Sequence, residues 1–153
     1  MGAILTPRAL QKAFEKALRK HLARREQIDT AVPDVEQVRG GVDLAALDAV
    51  RDRLGLSQET LERTLSVSTR TLQRRRNSEY RLTPAESDRL WRLLHVFELA
   101  LEAFDQHEDA ARSWLTTPKA LLGGETPLDR LDTEPGLREV EDMLTVIDET
   151  GAA

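Results

Sequence analysis

The sequence predicts an all-α protein. Apolar residues recur at three- and four-residue spacing in one segment after another. Ser, Thr or Asp stands before most of these segments, and Thr-Pro opens several of them, as a helix start favours. No stretch alternates apolar and polar residues in the way a half-buried strand does.

Thr6-Pro7 opens the first predicted helix, which runs to about Arg25 with Leu10, Phe14, Ala17, Leu18 and His21 as its stripe. Residues 28–42, IDTAVPDVEQVRGGV, contain Pro33 and Gly40-Gly41 and show no period, so they read as a linker. Asp43 caps the next helix, with Leu44, Leu47, Val50 and Leu54 inward and Gly55 as its stop. Ser57 caps a helix carrying Leu61 and Leu65. After the polar break Ser66-Val67-Ser68, a helix capped by Ser68 or Thr69 reaches about Arg76, and Asn77-Ser78-Glu79 makes a turn.

Thr83-Pro84-Ala85-Glu86 is a capping box with proline at the first helical position. Behind it Leu90, Trp91, Leu94, Phe97, Leu101 and Phe104 mark a long helix. A shorter helix holds Ala110, Ala111, Trp114 and Leu115. The Pro- and Gly-rich stretch that follows retains Leu121, Leu122, Leu128 and Leu131, which argues for packed turns, with a short helical turn starting at Thr126-Pro127. The last helix shows Leu137, Val140, Leu144 and Ile147 and ends at Gly151.

A chain of 153 residues suits one domain or a domain with a small appendage. Hydrophobic residues make up 40% and aromatics 4%, so the core is built mainly of Leu, Val, Ile and Ala. The absence of cysteine excludes disulfides, thiolate catalysis and Cys-ligated zinc. No apolar run is long enough to span a bilayer and no signal-peptide pattern opens the chain, so a soluble cytoplasmic protein is expected.

The net charge of −5 is unevenly distributed. Residues 1–42 hold 8 Lys/Arg against 5 Asp/Glu, residues 43–95 hold 10 against 8, and residues 96–153 hold 4 against 14. This asymmetry points to two working surfaces, or to an acidic face that only keeps the chain soluble. Three regions follow: 1–42, a helix and linker and a candidate oligomerisation arm; 43–95; and an acidic 96–153.

His21, His95 and His107 lie in no metal-binding pattern, and no G-x-S-x-G or Walker-type loop is present. The sequence therefore predicts no enzyme, metal or cofactor.

Helices 57–65 and 69–76, joined by about three residues, have helix-turn-helix spacing. In such a motif the second helix enters the major groove. Leu72 points inward, while Arg70, Gln73 and Arg74 form the outer face. Arg and Gln read guanine and adenine edges through paired hydrogen bonds. Ser68 and Thr69 lie at the helix start, with Arg75, Arg76 and Arg81 nearer the DNA backbone. Arginines at a helix C-terminus also complement its dipole without any DNA. Ser66 stands where the turn usually has glycine, and Glu62 where a small residue is usual.

From RTLQRRRNSEYRLTPAESDRLWRLLHVFELA through AARSWLTTPKALLGGETPLDRLDTEPGLREVEDML, the chain resembles the Xre-type antitoxins of RES–Xre toxin–antitoxin pairs, which include ParS- and MbcA-like proteins. The matching positions include Leu72, Arg74, Arg75, Ser87, Arg89, Trp114, Pro118, Gly123-Gly124, Pro127-Leu128-Asp129, Thr133, Gly136 and Leu144, and the resemblance covers about 43–148. It implies an Xre-like helix-turn-helix unit followed by a small helical toxin-binding domain. The partners it implies are a RES-domain toxin that consumes NAD or transfers ADP-ribose, and operator DNA. It further implies a homodimer within a larger toxin–antitoxin complex, and no membrane partner. An acidic domain would complement a cationic toxin cleft.

On this resemblance Trp114, Pro118, Leu121, Gly124 and Leu128 face the toxin, as do Glu141, Leu144, Asp148, Glu149, Gly151 and Ala153. Trp114 and Leu128 serve either as interface anchors or as core. The chain ends IDETGAA, without the aromatic tail frequent in relatives, which leaves Glu149 and the terminal carboxylate of Ala153 for that place. A protein-interaction module with a vestigial helix-turn-helix stands as the alternative.

Overall fold

A computed structural model describes residues 35–42, 44–77 and 81–151. The expected helix at 7–25 and the expected cap at Asp43 lie outside the described residues. Seven α-helices are described: α1 (Val35–Gly40), α2 (Leu44–Leu54), α3 (Gln58–Leu65), α4 (Thr69–Arg76), α5 (Pro84–Ala103), α6 (Glu108–Thr116) and α7 (Glu134–Thr150). Two 3-10 turns, Ala120–Leu122 and Asp129–Asp132, lie between α6 and α7.

The centre of the fold is α5. The Thr83 side chain accepts from the Glu86 N–H, and the Glu86 carboxylate accepts from the Thr83 N–H, closing the capping box. Leu90, Leu93, Leu94, Val96, Phe97, Ala100 and Leu101 are all buried. A helix apolar on so much of its circumference is packed on several sides. Helices α1, α3, α6 and α7 all pack on α5. Leu137, Val140, Leu144 and Ile147 form the inward stripe of α7. Helix α5 runs without a break through the 95/96 position, so one helix serves both the basic and the acidic regions.

Residues 35–42 depart from the expected linker. Val35–Gly40 is helical, the Leu82 N–H donates to the Val42 carbonyl (2.9 Å), and the Val42 N–H donates to Ser87 Oγ (3.1 Å). Gly41 has φ +79°, and a Cβ there would meet the Leu82 carbonyl oxygen at 2.3 Å. Gly41 thus reflects a close backbone approach, which composition does not distinguish from a linker.

The turn after α3 uses Ser66 at φ 54°, with its N–H on the Arg63 carbonyl and the Val67 N–H on that of Glu62. This is a helix C-terminal motif that glycine fills most readily. Between α6 and α7 the chain is folded tightly: Leu122, Leu128 and Leu131 are buried, and the Leu128 N–H donates to the Leu115 carbonyl (3.3 Å). Gly136 lies against this segment so closely that a Cβ would stand 2.0 Å from the Arg130 carbonyl oxygen.

Candidate functional site

Helix α4 is capped by Ser68, whose Oγ accepts from the Thr71 N–H (3.2 Å). Leu72 is buried at 2% exposure and fixes the rotation of the helix. Arg70, Gln73 and Arg74 are consequently exposed on one outer face.

Carboxylates from three helices meet Thr69, Arg75 and Arg76 of α4. At its start, the Thr69 hydroxyl donates to Glu62 Oε2, while Gln58 Nε2 donates to Glu62 Oε1 (2.7 Å) and Arg51 to Gln58 Oε1 (3.1 Å). This chain ties α2, α3 and α4 together. Lower down, Arg75 meets Glu86 Oε2 at 2.6 Å with side chains 17% and 9% exposed. Burial by itself raises the Glu86 pKa, but the Thr83 N–H and the Arg75 guanidinium outweigh it and hold the carboxyl below its usual value. At the end of α4, Arg76 meets Asp48 Oδ1, also at 2.6 Å, on an open surface.

These positions alter the expected DNA-facing set. Arg75 is a half-buried structural residue that holds α4 to α5. Arg76 reaches phosphate only by leaving Asp48. Arg81 donates to the Gly41 carbonyl (3.2 Å), pinning the segment before α5 to the turn after α1. The Thr69 hydroxyl is held by Glu62, and Ser68 acts as the cap. Arg70, Gln73 and Arg74 are the side chains presented outward. Asp48, Gln58, Glu62 and Glu86 were missed as parts of this surface. Glu62 stands seven residues before Thr69, but Asp48 and Arg76 lie 28 residues apart with no sequence signal linking them.

The expected toxin-facing residues also divide. Leu128 and Leu144 are each 2% exposed and belong to the core. Trp114 is 8% exposed, packs against Phe104 and carries Lys119 Nζ over its ring at 5.2 Å. Desolvation lowers the Lys119 pKa from the usual lysine value. Glu141 joins His95 at 2.7 Å, and His95 stacks on Trp91, so this group joins α5 to α7. Pro118, Gly124, Asp148, Glu149 and Gly151 are exposed. Ala153 lies outside the described residues.

Leu121 is 85% exposed in the first 3-10 turn. The Lys119 N–H to the Glu125 carbonyl (2.9 Å) and the Gly124 N–H to the Lys119 carbonyl (2.9 Å) close the loop beneath it. Gly123 and Gly124, at φ +67° and +88°, permit that closure. A large side chain held outward on a hydrogen-bonded loop is suited to enter a partner's pocket.

Arginines join the acidic part to the helices before it. Arg63 at the end of α3 meets Asp129 (3.2 Å), and Arg112 Nε donates to the Arg53 carbonyl of α2 (3.1 Å), while Arg89 of α5 donates to the Leu65 carbonyl at the end of α3 (3.2 Å). Beside the first of these lies a small polar cavity of about 150 Å³, lined by Arg63, Thr64, Ser66, Leu128, Asp129 and Asp132. Among the described residues, no three His, Cys, Asp or Glu side chains group to hold a metal ion.

Comparison with known proteins adds two family matches. Residues 33–95 match the antitoxin Xre-like helix-turn-helix domain, and residues 99–149 match the antitoxin Xre/MbcA/ParS C-terminal toxin-binding domain. A protein named Antitoxin Xre from Yersinia enterocolitica is 30% identical over 110 residues, covering 72% of this chain and 74% of its own length. The protein of that name from Pseudomonas putida is 39% identical over 89 residues, 58% of this chain and 55% of its own. That from Photorhabdus laumondii is 27% identical over 104 residues, 68% of this chain and 70% of its own.

Proposed function

The chain belongs to the antitoxin Xre family, whose members are antitoxins rather than enzymes, and from that premise we propose that it neutralises a RES-domain toxin and represses its own operon. In this reading residues 96–153 cover the toxin's active-site cleft. Residues 43–95 bind operator DNA through α4. The working form is a homodimer within a larger toxin–antitoxin complex in the cytoplasm, with the segment 7–25 as an oligomerisation arm. No helix among the described residues is long and apolar enough to cross a membrane.

The observation that supports the proposal is that one continuous fold carries two unlike sets of exposed side chains. Arg70, Gln73 and Arg74 face outward from α4. Residues 96–153 hold 14 acids against 4 bases and present Leu121. A toxin site that binds a dinucleotide pyrophosphate needs cationic groups, and an acidic partner with one apolar anchor complements such a site. Guanidinium and amide groups on the exposed face of a second motif helix are the types that read base edges.

A second reading follows from the pairing of Arg75 with Glu86 and Arg76 with Asp48. In it the arginines hold the fold, and the protein contacts only the toxin. Co-expression with the adjacent gene product, scored for growth and cellular NAD, tests neutralisation. A gel shift with DNA from upstream of the operon, with and without the toxin, separates the two readings. Growth rescue with an operator shift that weakens steeply with salt fits the proposal. Rescue with no shift under either condition selects the second reading, and failure of rescue refutes both.

A further inference from the structure

We propose that Asp48 is an electrostatic gate that limits DNA affinity by competing with phosphate for Arg76. This rests on the DNA-binding reading above and adds a residue outside the recognition helix that sets how strongly that helix binds.

The three carboxylates that meet α4 are not equivalent. Glu86 is buried and satisfied twice over, by Arg75 and by the Thr83 N–H, so its pair is part of the core. Glu62 holds a hydroxyl, not a charge. Asp48 alone among them pairs with an arginine in the open, its side chain 45% exposed and that of Arg76 42% exposed. The same carboxylate oxygen lies 3.6 Å from Arg51, which also reaches Asp52 at 3.0 Å and Gln58. Arg51 therefore has other partners when Asp48 is lost. Among the described residues, no other contact for Arg76 stands beside its pair with Asp48.

A phosphate oxygen would use the guanidinium edge that Asp48 now occupies. It would also arrive within a few ångströms of a carboxylate, well inside the screening length of about 8 Å at physiological salt. Asp48 thus acts through Arg76: it occupies the cation that would draw the phosphate in, and its repulsion of that phosphate counts only while Arg76 is there to bring the two together. An exposed ion pair is weak and exchanges readily, so the effect is graded and does not block binding. Operator affinity is accordingly lower, and its salt dependence shallower, than the number of arginines on α4 suggests.

The test uses the full chain and a labelled duplex from upstream of its own operon, with a scrambled duplex as control. Affinity is measured across a salt series for the wild type, D48N, D48S, R76Q, D48N/R76Q and R70A, each checked for an unchanged melting curve. D48N and D48S should bind about 3- to 10-fold tighter at low salt, with a log–log salt slope steeper by about 0.9, the value for one additional phosphate neutralised. R76Q alone should change affinity less than about twofold, and in the D48N background it should abolish the gain. If D48N and D48S bind equally or more weakly than the wild type while R70A impairs binding, Asp48 is not a gate and the DNA reading stands. A gain that survives R76Q is a general charge effect and also overturns the proposal. No binding by any variant at any salt removes the DNA reading, and the gate with it.

Discussion

Replacing Arg75 by Met separates an arginine that builds the fold from those that would read DNA. The guanidinium lies 2.6 Å from a Glu86 carboxylate that is 7% exposed as a residue. Removing one partner of a buried pair costs roughly 3–5 kcal/mol. Here the Thr83 N–H still holds Glu86, and Arg75 keeps 17% of its side chain in water, so a loss of about 2–3 kcal/mol is expected. For a chain of this size that lowers the melting temperature by about 6–10 °C.

The pH dependence adds a second check. Glu86 is held below its ordinary value of 4.5 in the folded state, so its stabilisation is complete above that value and disappears as pH falls through the lower folded value. Arg75→Met removes part of that depression. The stability gap between variant and wild type should therefore narrow as the pH is lowered through 4.5 and below. Calorimetry across that range measures both effects, and a fluorescence titration measures DNA affinity. Arg75→Met should bind DNA within about twofold of wild type once folded, whereas Arg70→Ala should lose about tenfold or more. A variant that melts like wild type and loses DNA as Arg70→Ala does would refute the structural role given to Arg75.

Three further outcomes are expected. Leu121→Asp should leave the melting temperature nearly unchanged, because the side chain is 85% exposed, and should weaken toxin binding by about 30-fold or more in a pull-down or calorimetric titration. Ser66→Gly should stabilise the fold by about 0.5–1 kcal/mol in a denaturant melt, since Ser66 sits at φ 54°, where a Cβ is unfavourable. Gly136→Ala should destabilise by about 1–3 kcal/mol by the same measurement, despite alanine's better helix propensity, because its methyl would press on the Arg130 carbonyl at 2.0 Å.

Much of the architecture is legible in the chain because its helices announce their own starts. Ser57, Ser68 and Thr83 are caps in the structure as their positions predict, and Leu61, Leu65 and Leu72 are buried where the period places them. Helix Val35–Gly40 is too short to display a period, and its flanking Pro33 and glycines carry a stronger loop signal. The turn after α5 places Asp105 and Gln106 at φ 52° and 65°, closed by local bonds from the Asp105 N–H to the Glu102 carbonyl and from the Gln106 N–H to the Leu101 carbonyl, and without glycine it carries no composition signal.

The candidate site is less legible for a specific reason. Periodicity tells which side of a helix faces the core, so Arg70, Gln73 and Arg74 come out correctly as an exposed face. It does not tell which charged residue of another helix lies opposite. The pairs Arg75–Glu86 and Arg76–Asp48 join residues 11 and 28 positions apart and depend on how α2, α4 and α5 assemble. Leu128 and Leu144 illustrate the same gap: their match to a toxin-binding motif does not reveal that these residues are buried in the core, whereas Leu121 is exposed.

The most direct test of two surfaces on one fold is to measure operator affinity and toxin neutralisation side by side in Arg70→Ala/Arg74→Ala and in Leu121→Asp. The account predicts a crossed result: the arginine variant loses the operator and still protects cells from the toxin, while the leucine variant keeps the operator and fails to protect. If either variant, folded as judged by its melting curve, loses both activities to the same degree, the division into a nucleic-acid face and a toxin face is contradicted.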